Sequence, residues 1–291
     1  MNMQNDQPRF ILTMEGPSAR GQVAAVTQFL EQHGAYIEEF AVFDDVLTSR
    51  FYLRSQVRLR TGESSQAGEL ESALNECLAP FEGSHGRVYS QEKPVPVIIM
   101  VSKTDHCLKE LLSQVHSANL NMEVKAVVSN HTLLEPLASA EGIPFHHLPI
   151  TPDNKPGQEA RLMDLIEQYG AEYVLLARYM QVLSDSACRQ LQGRVINIHH
   201  SFLPGFKGAR PYHQAYARGV KIIGATAHFV SAELDEGPII EQDVIRIDHS
   251  DVPEELVRSG KDVEKAVLAR GLRYHLEDRV LIDGNKTVVF R

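Results

Sequence analysis

Residues 95–129 read VPVIIMVSKTDHCLKELLSQVHSANLNMEVKAVVS, and the fold class turns on that stretch. Short apolar runs at 97–101 and 124–129 have the length and the β-branched content of buried strands, and an amphipathic segment over 106–117 joins them. A strand, a helix and a second strand in that order predict a parallel βαβ unit. The grammar continues downstream, with helices predicted over 132–140 and 158–169 and strands over 145–148, 173–176 and 195–198. An open, mostly parallel, Rossmann-like α/β sheet with helices on both faces follows, and its ligands are expected beyond the carboxyl ends of the strands. The tail predicts a helix over 253–276 and a hairpin around Asp283-Gly284-Asn285-Lys286.

Upstream the pattern changes. An apolar stretch at 10–14 leads into the turn residues Gly16, Pro17 and Ser18, and Val23, Val26, Phe29 and Leu30 then recur at helical spacing. Strand-like runs at 35–43 and 48–59, a helix over 67–78 and a strand at 87–90 complete a β-α-β-β-α-β order, the ferredoxin-like arrangement. Residues 83–96, with two Gly and two Pro, make the best linker. The boundary falls near Lys93, giving units 1–93 and 94–291.

The chain has 291 residues, 43% hydrophobic and 23% charged, as folded globular proteins do. Its net charge of -9 offers no footprint for nucleic acid or an anionic membrane. Three scattered cysteines without CxxC spacing suggest neither a disulfide framework nor a thiolate zinc site. The polar start lacks an apolar signal core, and no run approaches the roughly 20 residues of a membrane span. A cytoplasmic protein is expected.

No GxxxxGK[ST], GxGxxG after a strand, GxSxG or HExxH is present, so phosphoryl transfer, dinucleotide redox, serine hydrolysis and zincin chemistry lose their usual signatures. What remains is Ile196-Asn197-Ile198-His199-His200-Ser201-Phe202-Leu203-Pro204 at the end of a predicted parallel strand. On a strand Asn197 and His199 share a face, while His200 turns to the other and is left a supporting role. Downstream lies an acidic turn, Glu233-Leu234-Asp235-Glu236-Gly237-Pro238. Asn197, His199 and Asp235 combine a donor for a carbonyl oxygen, a group titrating near neutrality and a carboxylate to tune it. That set suits attack on a carbonyl without an enzyme nucleophile. The alternative is structural: Asn197 capping a turn, His199 bonded in the core, Asp235 forming a turn. The pairs His199-His200 and His146-His147 lack a carboxylate or thiolate at ligand spacing, so no metal is expected.

Asn197-Ile-His199 with Ser201-Phe-Leu-Pro204 and Leu234-Asp235-Glu-Gly237-Pro238 resembles the signature of the folate-dependent formyltransferases. The wider text from His199 to Tyr216, with Gly224-Ala-Thr-Ala-His-Phe229 and Gly237-Pro-Ile-Ile-Glu-Gln-Asp243, is similar to one branch, the formyltetrahydrofolate deformylases. The resemblance implies hydrolysis of 10-formyltetrahydrofolate to tetrahydrofolate and formate, which feeds purine synthesis, with folate as substrate and no cofactor. It implies that Asn197, His199 and Asp235 are catalytic and that Met180, Gln181, Val182 and Leu183 line the pterin pocket. It also implies an N-terminal ACT domain, an amino-acid effector there and a homo-oligomer. Where related glycinamide ribonucleotide formyltransferases carry a glycine-rich phosphate loop, this chain reads Ser102-Lys103-Thr104-Asp105-His106-Cys107, so water is the expected acceptor. The Pro-Asp-Arg-x-Gly turn common in the ACT part is here Pro17-Ser18-Ala19-Arg20-Gly21, which lacks the carboxylate suited to an ammonium group. A dimerisation module is the equal alternative for that domain.

Overall fold

The computed structural model describes residues 8–59, 66–205 and 211–291. They form two compact units, 1–94 with 277–279 and 290–291, and 95–276 with 280–289.

The first unit runs β1 (Arg9–Pro17), α1 (Gln22–Gln32), β2 (Ala35–Asp45), β3 (Arg50–Leu59), α2 (Gln66–Leu78) and β4 (His85–Ser90). Its sheet has the order β2-β3-β1-β4, antiparallel throughout. Phe10, Leu12 and Met14 alternate along β1, and they pack with Val26, Phe29 and Leu30 of α1 and Leu74 and Leu78 of α2 in one apolar cluster. Gly86 sets the close approach of α2 to β4, since a Cβ there would lie 2.3 Å from Leu74. The turn after β1 is tied by Gln22, whose Nε2 donates to the Pro17 carbonyl and whose Oε1 accepts from the Ala19 amide. A carboxylate does reach this turn, but from Asp44, which accepts from the Ser18 hydroxyl at 2.5 Å.

The sequence reading assigned everything after residue 93 to the second unit, whereas Glu277–Arg279 and Phe290–Arg291 belong to the first. An ionic clasp around the buried Arg54 contributes to this. Arg54 donates to the Glu277 carbonyl at 2.9 Å and pairs with Glu39, which also takes Arg279 at 2.9 Å. Burial alone would raise the Glu39 carboxyl, but Arg279 and Arg54 hold it below the usual range.

The second unit runs β5 (Val95–Val101), α3 (His106–His116), β6 (Met122–Ser129), α4 (Glu135–Ala140), β7 (Phe145–His147), α5 (Lys155–Tyr169), β8 (Tyr173–Leu176), α6 (Asp185–Gln190), β9 (Val195–His199), α7 (Pro211–Arg218), β10 (Ile222–Phe229), β11 (Ile239–Arg246), α8 (Pro253–Leu276), β12 (Val280–Asp283) and β13 (Lys286–Val289). Seven strands form one sheet in the order β11-β10-β9-β8-β5-β6-β7. From β9 to β7 the pairing is parallel, and β10 and β11 add antiparallel. Both faces are covered. Val97, Ile99 and Val101 of β5 pack with residues of α3 and α8, while Ile98 and Met100 pack with those of α5 and α6. No helix among the described residues is long and apolar enough to cross a membrane.

His275, near the end of α8, lies partly buried between the rings of Tyr173 and Phe229, and its Nε2 is buried with no hydrogen-bond partner. Burial pushes its pKa down to about 4. The unfolded chain binds a proton below about pH 6.5 that the folded chain refuses, so stability is lost as pH falls through the window from about 6.5 to about 4. At pH 5 the loss from this residue is about 2 kcal/mol. Urea unfolding at pH 7 and pH 5 should show it, and His275→Phe should remove that part of the pH dependence.

Candidate active site

The carboxyl ends of β8 and β9 open on a cleft of about 210 Å³, lined by Asn197, His199, His200, His228, Asp235 and the segment 178–183. All seven residues singled out from the sequence line it: Asn197, His199 and Asp235, and Met180, Gln181, Val182 and Leu183. Met180 and Val182 are 52% and 54% exposed, and Leu183 is buried. The Met180 amide donates to Ser102 Oγ at 2.9 Å, and that hydroxyl donates to Asn130 at 2.7 Å, which anchors the segment to the ends of β5 and β6.

Asn197 and His199 alternate on β9, as a two-residue period requires. Past His199 the strand ends and alternation lapses, so His200 also lines the cleft, its ring 5.2 Å from that of His199. That corrects the expected opposite facing. Thr226 of β10 fixes the chain just beyond, donating to the Ser201 carbonyl and accepting from the Leu203 amide. Residues 206–210, which fall within the motif beginning at His199, lie outside the described residues.

Asp235 reaches the cleft because the acidic turn folds back on the end of β10. Phe229 donates its amide to the Pro238 carbonyl, and a Cβ at Gly237 would lie 1.8 Å from the Phe229 carbonyl oxygen. Asp235 has φ 59°, a left-handed conformation that short polar side chains tolerate and that clusters at functional sites. Its Oδ1 lies 3.2 Å from His199 Nδ1, and both side chains are buried. Desolvation would raise the Asp235 carboxyl, but the His199 hydrogen bond, with the His199 and His228 imidazoles beside it, holds it below the usual range. His199 Nε2 has no partner. With Nδ1–H given to the carboxylate, Nε2 carries the lone pair.

His228 was missed by the sequence reading. Antiparallel pairing sets it opposite Asn197, and Asn197 Nδ2 donates to His228 Nε2 at 3.1 Å. His228 Nδ1–H donates to the Phe229 carbonyl at 2.8 Å, which leaves Nε2 the acceptor and fixes the Asn197 amide with its NH₂ toward the imidazole. Burial lowers the pKa of His228. Burial, with Arg178 and His199 nearby, takes His200 down to about 3. Both rings are therefore neutral near pH 7.

Behind the cleft, Glu264 of α8 accepts from Tyr212 at 2.6 Å, lies 2.7 Å from His106 Nε2 and pairs with Arg178 at 3.3 Å. His106, Cys107 and Glu264 offer ligand atoms within 4.8 Å of one another. A divalent cation there would face the Arg178 guanidinium on the same carboxylate, and burial drives the Cys107 thiol far above its usual range, so the donor set does not suit a metal.

The family model described as Formyl transferase matches residues 95–272, the part of the chain whose mostly parallel sheet carries the amide, the imidazole and the carboxylate at its carboxyl edge, and this places the chain in the formyltransferase class. Formyltetrahydrofolate deformylase of Corynebacterium sp. (strain P-1) is 48% identical over 99% of this chain and all of its own. That of Bacillus subtilis (strain 168) is 42% identical over 96% and 93%. The crystal structure of formyltetrahydrofolate deformylase from Burkholderia mallei superposes with TM-score 0.90 at 49% identity, covering 98% of this chain and all of that one. Glycinamide ribonucleotide transformylase 1 from Symbiobacterium toebii matches at TM-score 0.65 and 28% identity, covering 70% of this chain and 97% of its own. The chain belongs to the formyl transferase family and, within it, to the formyltetrahydrofolate deformylases.

Proposed function

We propose that the chain hydrolyses 10-formyltetrahydrofolate to tetrahydrofolate and formate at the cleft of Asn197, His199 and Asp235. The observation that carries this reading is the His199 Nδ1 to Asp235 contact beside an unpartnered Nε2, a base already oriented by its carboxylate. Asn197 donates to the formyl oxygen as it becomes an oxyanion, and neutral His228 keeps the amide turned for that task. His199 Nε2 takes a proton from the attacking water, whose oxygen bonds to the formyl carbon. The imidazolium, stabilised by Asp235, then returns that proton to the folate nitrogen as the carbon–nitrogen bond breaks. Formate leaves as an anion with release of the remaining proton. No step calls for a metal or redox cofactor.

The pterin packs on Met180 and Val182 and pairs with the backbone of 181–183. Val182→Asp should then raise KM about tenfold or more while turnover changes less, since it removes uniform binding and leaves the reacting groups in place. Steady-state kinetics separates the two constants.

Water is the acceptor in this reading. Asp105 at the start of α3 carries negative charge where a phosphate-bearing amine would need backbone amides, and Lys109 is engaged with it at 2.5 Å. The first unit is read as an ACT domain of a cytoplasmic homo-oligomer. Its edge strand β2 exposes Val42 and Phe43, with Val46 and Leu47 just beyond, which supports pairing of copies. Asp44, beside Ser18, supplies a carboxylate for an amino-acid effector. Purified protein given 10-formyltetrahydrofolate and no amine should release formate in step with tetrahydrofolate. Turnover that depends on an added amine would overturn the hydrolytic reading.

A further inference from the structure

Among its described lining residues, the cleft contains a single Lys or Arg side chain, Arg178, and the steps above do not use it. Its backbone is left-handed, with φ 66°, a conformation unfavourable for a long side chain and retained where the surroundings fix it. The side chain is 14% exposed; Nε faces the Glu264 carboxylate at 3.3 Å as an ion pair without hydrogen-bond geometry, and Nη1 makes no hydrogen bond. A buried guanidinium N–H without an acceptor, as at Nη1, calls for a ligand or a structural cause.

Glu264 holds the guanidinium in place and is itself held. It is 1% exposed, with one oxygen taking the Tyr212 hydroxyl and the other shared between His106 and Arg178. Tyr212 lies against Gly260 on α8, where a Cβ would come 2.3 Å from its hydroxyl, so the helix is shaped to admit that ring. Of the ion pair, Arg178 lines the cleft and Glu264 does not. The field at His200 agrees, since Arg178 acts on that ring more strongly than Glu264 opposes it.

From this arrangement we infer that Arg178 is the carboxylate-binding group of the cleft, positioned by Glu264 to hold the formate that hydrolysis produces. The inference rests on the hydrolytic reading. Hydrolysis turns a neutral amide and water into an anion, whereas transfer to an amine leaves a neutral formamide, so a fixed cation favours the first outcome. A guanidinium held through Nε with Nη1 uncommitted can offer a charge-assisted N–H to a small carboxylate.

The test is a titration of the full-length protein with ¹³C-labelled formate, followed by NMR. Arg178→Met should weaken formate binding about tenfold or more, the equivalent of losing one charge-assisted contact, and Arg178→Lys should stay within about threefold of wild type. Where Glu264, left with only His106 and Tyr212, prevents Arg178→Met from folding, Arg178→Met with Glu264→Gln removes both charges and should show the same loss. The constant for product inhibition by formate should rise in step, with KM for the folate little changed. Formate binding unaltered in the folded Met or double variant overturns the assignment. Formate release by the wild type is measured separately. If none is seen, the hydrolytic reading fails, and the titration still decides whether Arg178 binds a carboxylate.

Discussion

Asp235→Asn is expected to lower turnover by a factor on the order of 10⁴, with the fold intact. The replacement is the same size, and Asn tolerates the left-handed backbone at φ 59° as Asp does, so the turn should persist. What changes is the proton on His199. The carboxylate accepts Nδ1–H and leaves Nε2 as a base. An amide can instead present its NH₂ to Nδ1, which stabilises the opposite tautomer and puts a proton where the water's proton must go. It also removes the charge that stabilises the imidazolium. Single-turnover formate release checks the rate, and the chemical shifts of labelled His199 check the tautomer. Wild-type turnover in this variant would reduce Asp235 to a turn residue.

Much of the architecture was legible because it depends on local pattern. The helix over 253–276 was read at its observed bounds, since its apolar face repeats at helical spacing and its end meets the charged run 277–279. Alternation along β5 sends successive residues into two different clusters, which is why a short apolar run reads as a strand covered on both sides. The antiparallel strand β11, with Ile240, Gln242 and Val244 in alternation, is visible in the sequence only as part of the motif 237–243. Nothing local distinguishes a strand added antiparallel at the sheet's edge.

The site divides the same way. Asn197 and His199 lie two residues apart on one strand, so sequence alone aligns them. His228 enters by the register of β10 against β9, a pairing between residues 31 apart, and the Arg178 to Glu264 pair spans 86 positions from a loop to a helix. No spacing rule reaches such partners. His200 failed for a different reason, because the two-residue period holds only while the strand lasts and β9 stops at His199. The clasp of Arg54, Glu39 and Arg279 likewise joins distant segments, and with the Gln91 to Asp278 hydrogen bond it ties the chain after α8 to the first unit.

Asn197→Ala should lower turnover about 100- to 1,000-fold, the loss of roughly 3 kcal/mol that follows removal of one oxyanion donor. The effect should fall on kcat, with KM for the folate close to wild type, because the interaction grows only as the formyl oxygen gains charge. Stability should suffer less. His228 Nε2 loses the N–H it accepts at 3.1 Å, and a buried acceptor left unpaired costs about 1–3 kcal/mol unless water enters the space of the missing amide. The imidazole itself stays fixed by its Nδ1–H bond to the Phe229 carbonyl. Asn197→Asp separates donor from size: it keeps the shape, replaces the NH₂ with an acceptor and sets a second negative charge near Asp235. It should therefore lose more turnover than Asn197→Ala, even though it packs better. Equal rates for the two variants would mean that Asn197 holds the pocket's shape and that the oxyanion is met by another donor. Rate constants for formate release, measured with urea midpoints on the same preparations, distinguish these outcomes.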